Sequence, residues 1–310
     1  MKDCRFISVI RYKIFCCKMR EKKSKKFSSS KPHYFIVRLE GGKNGFCSNI
    51  SCYMARMNYM ETRYPDAIPV VDMKNYSNAL MNPGERVKSN LWDVVFQPLP
   101  ATLETAYGSG NYILSEATGT KLETMEKSVE FLMEKDGSFE KWNKLFQKYF
   151  VFNAKMKELF LQAEKRIPQN SRCLGVLCRG TDYSAMRPQN HPIQPTPNQM
   201  MDKVAQVMEE KSFEYIVLAT EDSAIADGFK KRFGNRCILT RESYVAYGDG
   251  ALVDSVHDVR ENTIQYMVQL YLLSRCQGLV SGITSASPFI LFMAQDKPFE
   301  YKYFWDLGTY

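Results

Sequence analysis

Three apolar runs in the second half of the 310-residue chain end in residues able to handle a charged ligand. Leu174-Gly175-Val176-Leu177-Cys178 leads into Arg179-Gly180-Thr181-Asp182, and Ile216-Val217-Leu218-Ala219 into Thr220-Glu221-Asp222-Ser223. Leu279-Val280-Ser281 leads into Gly282-Ile283-Thr284-Ser285-Ala286-Ser287. An arginine at a strand end presents a bidentate donor fork to phosphate oxygens. Hydroxyls and free backbone N–H groups at a helix start, as Thr284 to Ser287 would supply, suit phosphate too. Asp222 can accept from a base or ribose, and equally Asp222-Ser223 reads as a helix N-cap. Arg179 has the ordinary alternative of a salt bridge closing a sheet. Jointly, the arginine, the acidic turn and the serine-rich helix start describe a diphosphate-nucleotide pocket. The half has no GxxxxGK[ST] and no clear GxGxxG, which disfavours a P-loop NTPase or a typical NAD enzyme.

Hydrophobic periodicity gives the elements that must position these residues. Strands are expected at 174–178, 215–220, 236–239 and 279–281, and helices at 198–211, 223–233 and 263–276, with another opening near Ser285 or Ser287. Such alternation implies a doubly wound parallel sheet, which takes ligands at the carboxyl ends of its strands. In the first half, a strand at 34–39 is stopped by Glu40-Gly41-Gly42. A helix with Ile50, Met54, Met57 and Met60 at three-to-four spacing follows, Pro65 ends it, and a strand at 68–73 completes a βαβ opening. Residues 122–167 read as helical throughout, with Phe139, Trp142, Leu145, Phe146, Tyr149 and Phe150 as a core stripe.

Charge is distributed unevenly. The chain carries 42 Lys+Arg against 34 Asp+Glu, a net of +8. Residues 1–31 hold eleven basic and two acidic residues, which leaves 31 basic and 32 acidic for residues 32–310, a net of −1. A basic stripe on the body, expected of a nucleic-acid binder, is therefore missing, and no nucleic-acid partner is expected. The basic segment suits either a disordered tail or a peripheral contact with anionic membrane lipid. No run reaches the roughly 18 apolar residues needed to span a bilayer. The first apolar cluster holds Arg11 and Lys13, too charged for a signal peptide. Nine cysteines in an irregular distribution read as reduced thiols of a cytoplasmic protein, without metal-site spacing, and three histidines exclude a His-rich centre.

At this point a family resemblance becomes visible. Val176 to Asp182, Val-Leu-Cys-Arg-Gly-Thr-Asp, resembles the His-x-Arg-Arg-Thr-Asp element of the GDP-fucose-dependent glycosyltransferases, the superfamily of α-1,6- and protein O-fucosyltransferases. Ile216 to Ser223 is similar to its Leu-Ala-Thr-Asp-Asp-Pro strand end. Glu261-Asn262 through Tyr271-Leu272-Leu273-Ser274-Arg275-Cys276 to Thr284-Ser285 resembles its long helix, strand and Ser-Ser sequence. Glu40-Gly41-Gly42 with Phe46 and Asn49 is a looser match to the glycine-rich loop that faces the donor from the other domain.

The resemblance implies an α/β fold of two Rossmann-like domains, of the type called GT-B. Residues 32–168 would form the acceptor-side domain and 169–295 the nucleotide-sugar domain, with 296–310 packing back on the first and 1–31 a basic, disordered tail. It implies transfer of fucose from GDP-fucose to a glycan acceptor, metal-independent and inverting, in bacterial surface-polysaccharide assembly. The GDP-sugar is a substrate, and no cofactor is implied. Arg179 would contact the β-phosphate, Asp182 would orient the arginine loop, and Asp222 would meet guanosine. Thr284 and Ser285 would hold phosphate oxygens, and Gly41 and Gly42 would face the donor. An inverting reaction needs a base on the acceptor hydroxyl. Glu40 is the first candidate and His191, in a proline-rich loop, the second. Two positions depart from the pattern: Leu177 replaces the family's histidine and Gly180 its second arginine. These departures leave open a transferase of another nucleotide sugar, or a catalytically silent sugar-nucleotide or glycan-binding protein.

Overall fold

The computed structural model describes residues 18–39, 45–180, 187, 189–241 and 258–310. The elements in chain order are β1 (Lys18–Lys23), β2 (Tyr34–Arg38), α1 (Phe46–Arg63), β3 (Ile68–Asp72), α2 (Trp92–Val95), α3 (Leu103–Ser109), β4 (Tyr112–Lys121), α4 (Val129–Leu132), α5 (Phe139–Tyr149) and α6 (Ala154–Glu164). They continue with β5 (Cys173–Leu177), α7 (Pro197–Glu210), β6 (Tyr215–Ala219), α8 (Ser223–Phe233), β7 (Cys237–Leu239), α9 (Val259–Ser274), β8 (Gly278–Gly282), α10 (Ser287–Met293) and β9 (Tyr301–Trp305). Two compact units result, one of residues up to 126 with 140–154, the other of 127–139 with 155–310. No helix among the described residues is long and apolar enough to cross a membrane.

The first unit is built on a four-stranded sheet in the order β1-β4-β2-β3. β2 runs parallel to β3 and β4, and its central Phe35, Ile36 and Val37 are fully buried, as a strand covered on both faces requires. The aromatic stripe of α5 is core as expected: Phe146 stacks on Phe150 at 5.5 Å, and Phe150 meets Trp92 at 5.3 Å.

The helical stretch expected over 122–167 consists of three helices. Glu134 (φ 61°) and Gly137 (φ 74°) take left-handed conformations that end one and precede the next. Between α5 and α6, Gln97 donates its N–H to the Val151 carbonyl and Asn153 donates to Val95, drawing the chain into strand-like pairing. The basic tail is corrected as well. Residues 18–23 form β1, antiparallel to β4, and the Glu21 carboxylate accepts the phenol hydroxyls of Tyr59 and Tyr64. An open strand edge and two phenols give that part of the segment a place in the fold.

The second unit holds a five-stranded, wholly parallel sheet in the order β7-β6-β5-β8-β9. Every residue of β5 and β8 is buried. The expectation that 296–310 returns to the first unit is overturned: Tyr301–Trp305 pairs along β8, Gly278 opposite Tyr301 and Gly282 opposite Trp305. A buried strand such as β8 cannot leave one edge without hydrogen-bond partners, and β9 supplies them. The single boundary expected between 168 and 169 is likewise replaced by a crossing chain. Lys127–Phe139 belongs with the second unit, because Phe139 packs at 5.3 Å on Phe292 of α10 and at 5.4 Å on Phe131.

From β5 the chain builds outward through β6 to β7, then returns to place β8 and β9 on the other side. The order reverses between β5 and β8, and in open α/β sheets that is where the ligand crevice opens.

Candidate functional site

The three polar strand ends read from the sequence emerge on neighbouring strands around this reversal. β5 leaves the sheet through Cys178, whose N–H bonds the Ala219 carbonyl at the end of β6 (3.0 Å). Burial pushes the Cys178 thiol up to about 12, with the Asp222 charge a lesser cause, so it is a packing residue and no nucleophile. Arg179 follows, half-buried, with its guanidinium 3.7 Å from the Glu221 carboxylate on the β6 end. The ordinary ion pair is therefore present, but long.

Asp222 is wholly buried and caps α8: its Oδ1 accepts from the N–H groups of Ala224 (2.8 Å) and Ile225 (3.1 Å). The other oxygen lies under Gly180. A Cβ at Gly180 would stand 2.8 Å from Asp222 Oδ2 and 2.7 Å from Ile225 Cδ1, so a side chain at the site of the family's second arginine would have to displace them. The capping reading of Asp222 is thus realised in the structure.

The turn after β8 separates the two expected phosphate holders. Thr284 is buried, its N–H donating to Ser287 Oγ (3.1 Å) and its Oγ1 accepting from the Ala286 N–H (3.1 Å), while Ser287 donates to the Gly282 carbonyl (2.9 Å). Its hydroxyl holds the turn together. Ser285 is half-exposed and accepts a hydrogen bond from Lys127 Nζ at 2.8 Å. Lys127 went unread in the sequence, where it stands far from β8 and beside no strand end.

His191 sits on a loop tied to the chain's last residues. Its carbonyl accepts from the Tyr310 N–H (3.1 Å), and Ile193 donates to the Gly308 carbonyl (2.9 Å). Gln194 fixes the loop to the β8 end, its amide donating to the Ile283 carbonyl (2.9 Å). A Cβ on Gly282 would come within 2.1 Å of Gln194 Oε1, which explains the glycine. Glu40, Gly41, Gly42 and Asp182 lie outside the described residues.

The first unit has its own polar strand ends, which sequence reading missed. Asp72, buried at the end of β3, accepts from Tyr107 Oη (2.8 Å) and Asn75 Nδ2 (2.9 Å). Burial, then the Asp72 charge, raises the Tyr107 phenol above its ordinary range. Arg38, ending β2, lies 3.5 Å over the Tyr76 ring, and its N–H donates to the buried Ser115 hydroxyl (3.0 Å). The rule that exposed Arg179, a polar residue closing an apolar run, applies to Phe35-Ile36-Val37-Arg38 and Val70-Val71-Asp72 and would have found both.

The fold is similar to that of solved structures. They are fucosyltransferase structures. The alpha-1,6-fucosyltransferase NodZ soaked with GDP-fucose is 12% identical, with 84% of this chain and 91% of that one covered at a TM-score of 0.50. NodZ from Bradyrhizobium is 11% identical over 84% of this chain and 92% of that one, also at 0.50. POFUT1 in complex with GDP-fucose is 10% identical over 89% and 98%, at 0.52. No protein-family model and no curated protein sequence matches. At these identities the likeness is one of fold, and the expected α/β class with two Rossmann-like units is the class these structures share. Chemically, the second unit offers a cation at the β5 end, a hydroxyl and an ammonium on the β8 turn, and a rigid acidic cap between α8 and Gly180.

Proposed function

We propose that the chain is a glycosyltransferase whose donor is a nucleoside diphosphate sugar, GDP-fucose, and whose acceptor is a glycan hydroxyl. The observation that carries this is Arg179 at the carboxyl end of β5, beside the reversal of strand order. It is supported by the fold of NodZ and POFUT1, whose structures were solved with GDP-fucose.

In the proposed reaction an acceptor oxygen bonds to C1 of the sugar as the bond from C1 to the β-phosphate oxygen breaks. That oxygen keeps the electron pair, and the acceptor's proton passes to a base. The outcome is inversion, and positive charge from side chains answers the charge growing on the diphosphate without a metal. Arg179 provides that charge and Ser285 a hydrogen bond, while Asp182 orients the arginine loop and Gly41 and Gly42 face the donor. Glu40 is the proposed base and His191 its alternate. Asp222 bears on guanosine through the shape it gives the β6 end, and Thr284 bears on phosphate through the turn it closes. Assembly of surface polysaccharide, with residues 1–31 against an anionic membrane, is the proposed setting.

A thermal-shift panel of GDP, UDP, ADP and CMP tests the donor. At about 100 times its Kd, a ligand of the native state adds about 2.7 kcal/mol of stability. GDP is expected to raise the melting temperature and the others to raise it less. A shift with UDP and none with GDP overturns the assignment in favour of another nucleotide sugar.

A further inference from the structure

We propose that a cleft at the amino ends of β5, β8 and β9 is a second binding site, for a sugar that bears an anionic group. The cleft lies wholly within the second unit, and the inference does not depend on the donor reading. Arg172, Gln277 and Glu300, the residues just before the three strands, line one space of about 580 Å³, a volume that suits a small ligand. The donor residues stand at the carboxyl ends of the same sheet. Five residues of parallel strand span about 16 Å, so the two sites do not overlap.

The walls of the cleft are fixed by pairs that are already complete. Arg275 gives its two terminal nitrogens to Asp296 (2.9 and 2.8 Å), and one of them also to the Met293 carbonyl (2.7 Å). Arg172 pairs with Glu300 at 2.8 Å, and Gln277 Oε1 accepts the Cys173 N–H at 2.8 Å. Glu164 accepts the Tyr271 hydroxyl (3.0 Å), and Tyr271 stacks on Phe160 at 4.3 Å, which holds α6 against α9.

Other lining groups have capacity to spare. Lys165 makes no ion pair or side-chain hydrogen bond with a described residue, and Lys297 uses one of its three N–H donors on the Arg275 carbonyl (2.8 Å). Both lysines are exposed. The Arg172–Glu300 and Arg275–Asp296 pairs balance, so two ammonium groups stand against the single charge of Glu164 and the lining favours an anion. Gln169, Asn170 and Ser171 add two amides and a hydroxyl whose side chains bond no described residue, and these suit ring hydroxyls. Leu161 also lines the cleft. It is 62% exposed, the one large exposed hydrophobic among the described residues, and the C–H face of a sugar would remove it from water. A bare inorganic anion would leave the amides and Leu161 without an occupant.

The test titrates galacturonic acid, galactose, inorganic phosphate and tetragalacturonic acid into the full chain, followed by ligand-observed NMR. Galacturonic acid is expected to bind with a Kd of about 1 mM, and galactose and phosphate each about 10-fold more weakly. Lys165→Met should weaken the acid by about 3- to 10-fold, as for an exposed charge-assisted bond, and leave galactose where it was. Asn170→Gly keeps the left-handed backbone found there (φ 60°) and should weaken acid and galactose alike. Lys297→Met should act as Lys165→Met does; if losing the Arg275 contact lowers its melting temperature, Lys165→Met carries the charge test alone. Tighter binding of the tetramer than of the monomer assigns the cleft to a polysaccharide chain, and equal binding assigns it to a free sugar acid. The proposal is overturned by phosphate binding as tight as galacturonic acid, by undiminished binding in both Lys165→Met and Asn170→Gly, by displacement with GDP, or by absence of binding to the wild type. A protein that binds galacturonic acid and no nucleotide keeps this cleft and loses the donor reading.

Discussion

Asp222 is where two readings of one residue can be separated. Its Oδ1 takes two N–H groups of α8, so a plain cap accounts for its burial. Asparagine caps about as well as aspartate, whereas alanine at an N-cap costs ~1–2 kcal/mol. Asp222→Asn is therefore expected to keep the urea midpoint of the wild type, and Asp222→Ala to lower it. If the carboxylate also serves the guanosine end of the donor, Asp222→Asn will lose GDP affinity at unchanged stability. If it is only a cap, Asp222→Asn will bind GDP as the wild type does. Isothermal calorimetry beside urea unfolding reads both.

At the scale of elements, the second sheet was legible because its strands are short apolar runs buried on both faces. β5, β6 and β8 were found within a residue or two, and α8 at its observed bounds, because Asp222 and Gly234 punctuate it. β4 was missed. Its sequence Tyr-Ile-Leu-Ser-Glu-Ala-Thr-Gly-Thr-Lys has only two aliphatic residues together, since its second half pairs with β1 and not with the buried β2. β1 was missed because a run of lysines reads as solvated chain, and its docking depends on Glu21 meeting two tyrosines some 40 residues away. Lys127 was missed for the same reason, a contact 158 residues long in sequence.

Burial in the second sheet also sets a pH response. The thiols of Cys173 in β5 and Cys237 in β7 are pushed up to about 11, and that of Cys178 to about 12, by desolvation first in each case. Each is an acid whose folded pKa lies above its unfolded value of 9.0. Their contribution to stability is complete below about pH 9 and is lost as pH rises toward 11 to 12, because the unfolded chain releases protons that the folded one retains. Urea midpoints should fall between pH 8 and pH 10.5, and Cys178→Ala should flatten that decline. A midpoint that stays level over the interval would contradict the burial of these thiols.

Over the whole molecule, a body of net −1 carries a segment of net +9, and the structure divides that segment. Residues 18–23 belong to the first sheet, whereas Lys25, Lys26 and Lys31 are exposed beside it. A membrane contact would thus be made by lysines fixed to a folded edge, together with residues 1–17. Each lysine near an anionic surface contributes ~1 kcal/mol, so replacing Lys25, Lys26 and Lys31 by serine should weaken binding to phosphatidylglycerol vesicles by roughly 100-fold. The interaction should also fade as salt shortens the reach of charge. Removing residues 1–31 is a poor test, since it strips β1 from β4 and leaves Tyr59 and Tyr64 without Glu21, and a lower melting temperature is expected. Removing residues 1–17, which hold Lys2, Arg5, Arg11 and Lys13, should reduce vesicle association. Wild-type protein that sediments no better with anionic than with neutral vesicles at low salt would refute the membrane role and assign the lysines to solubility.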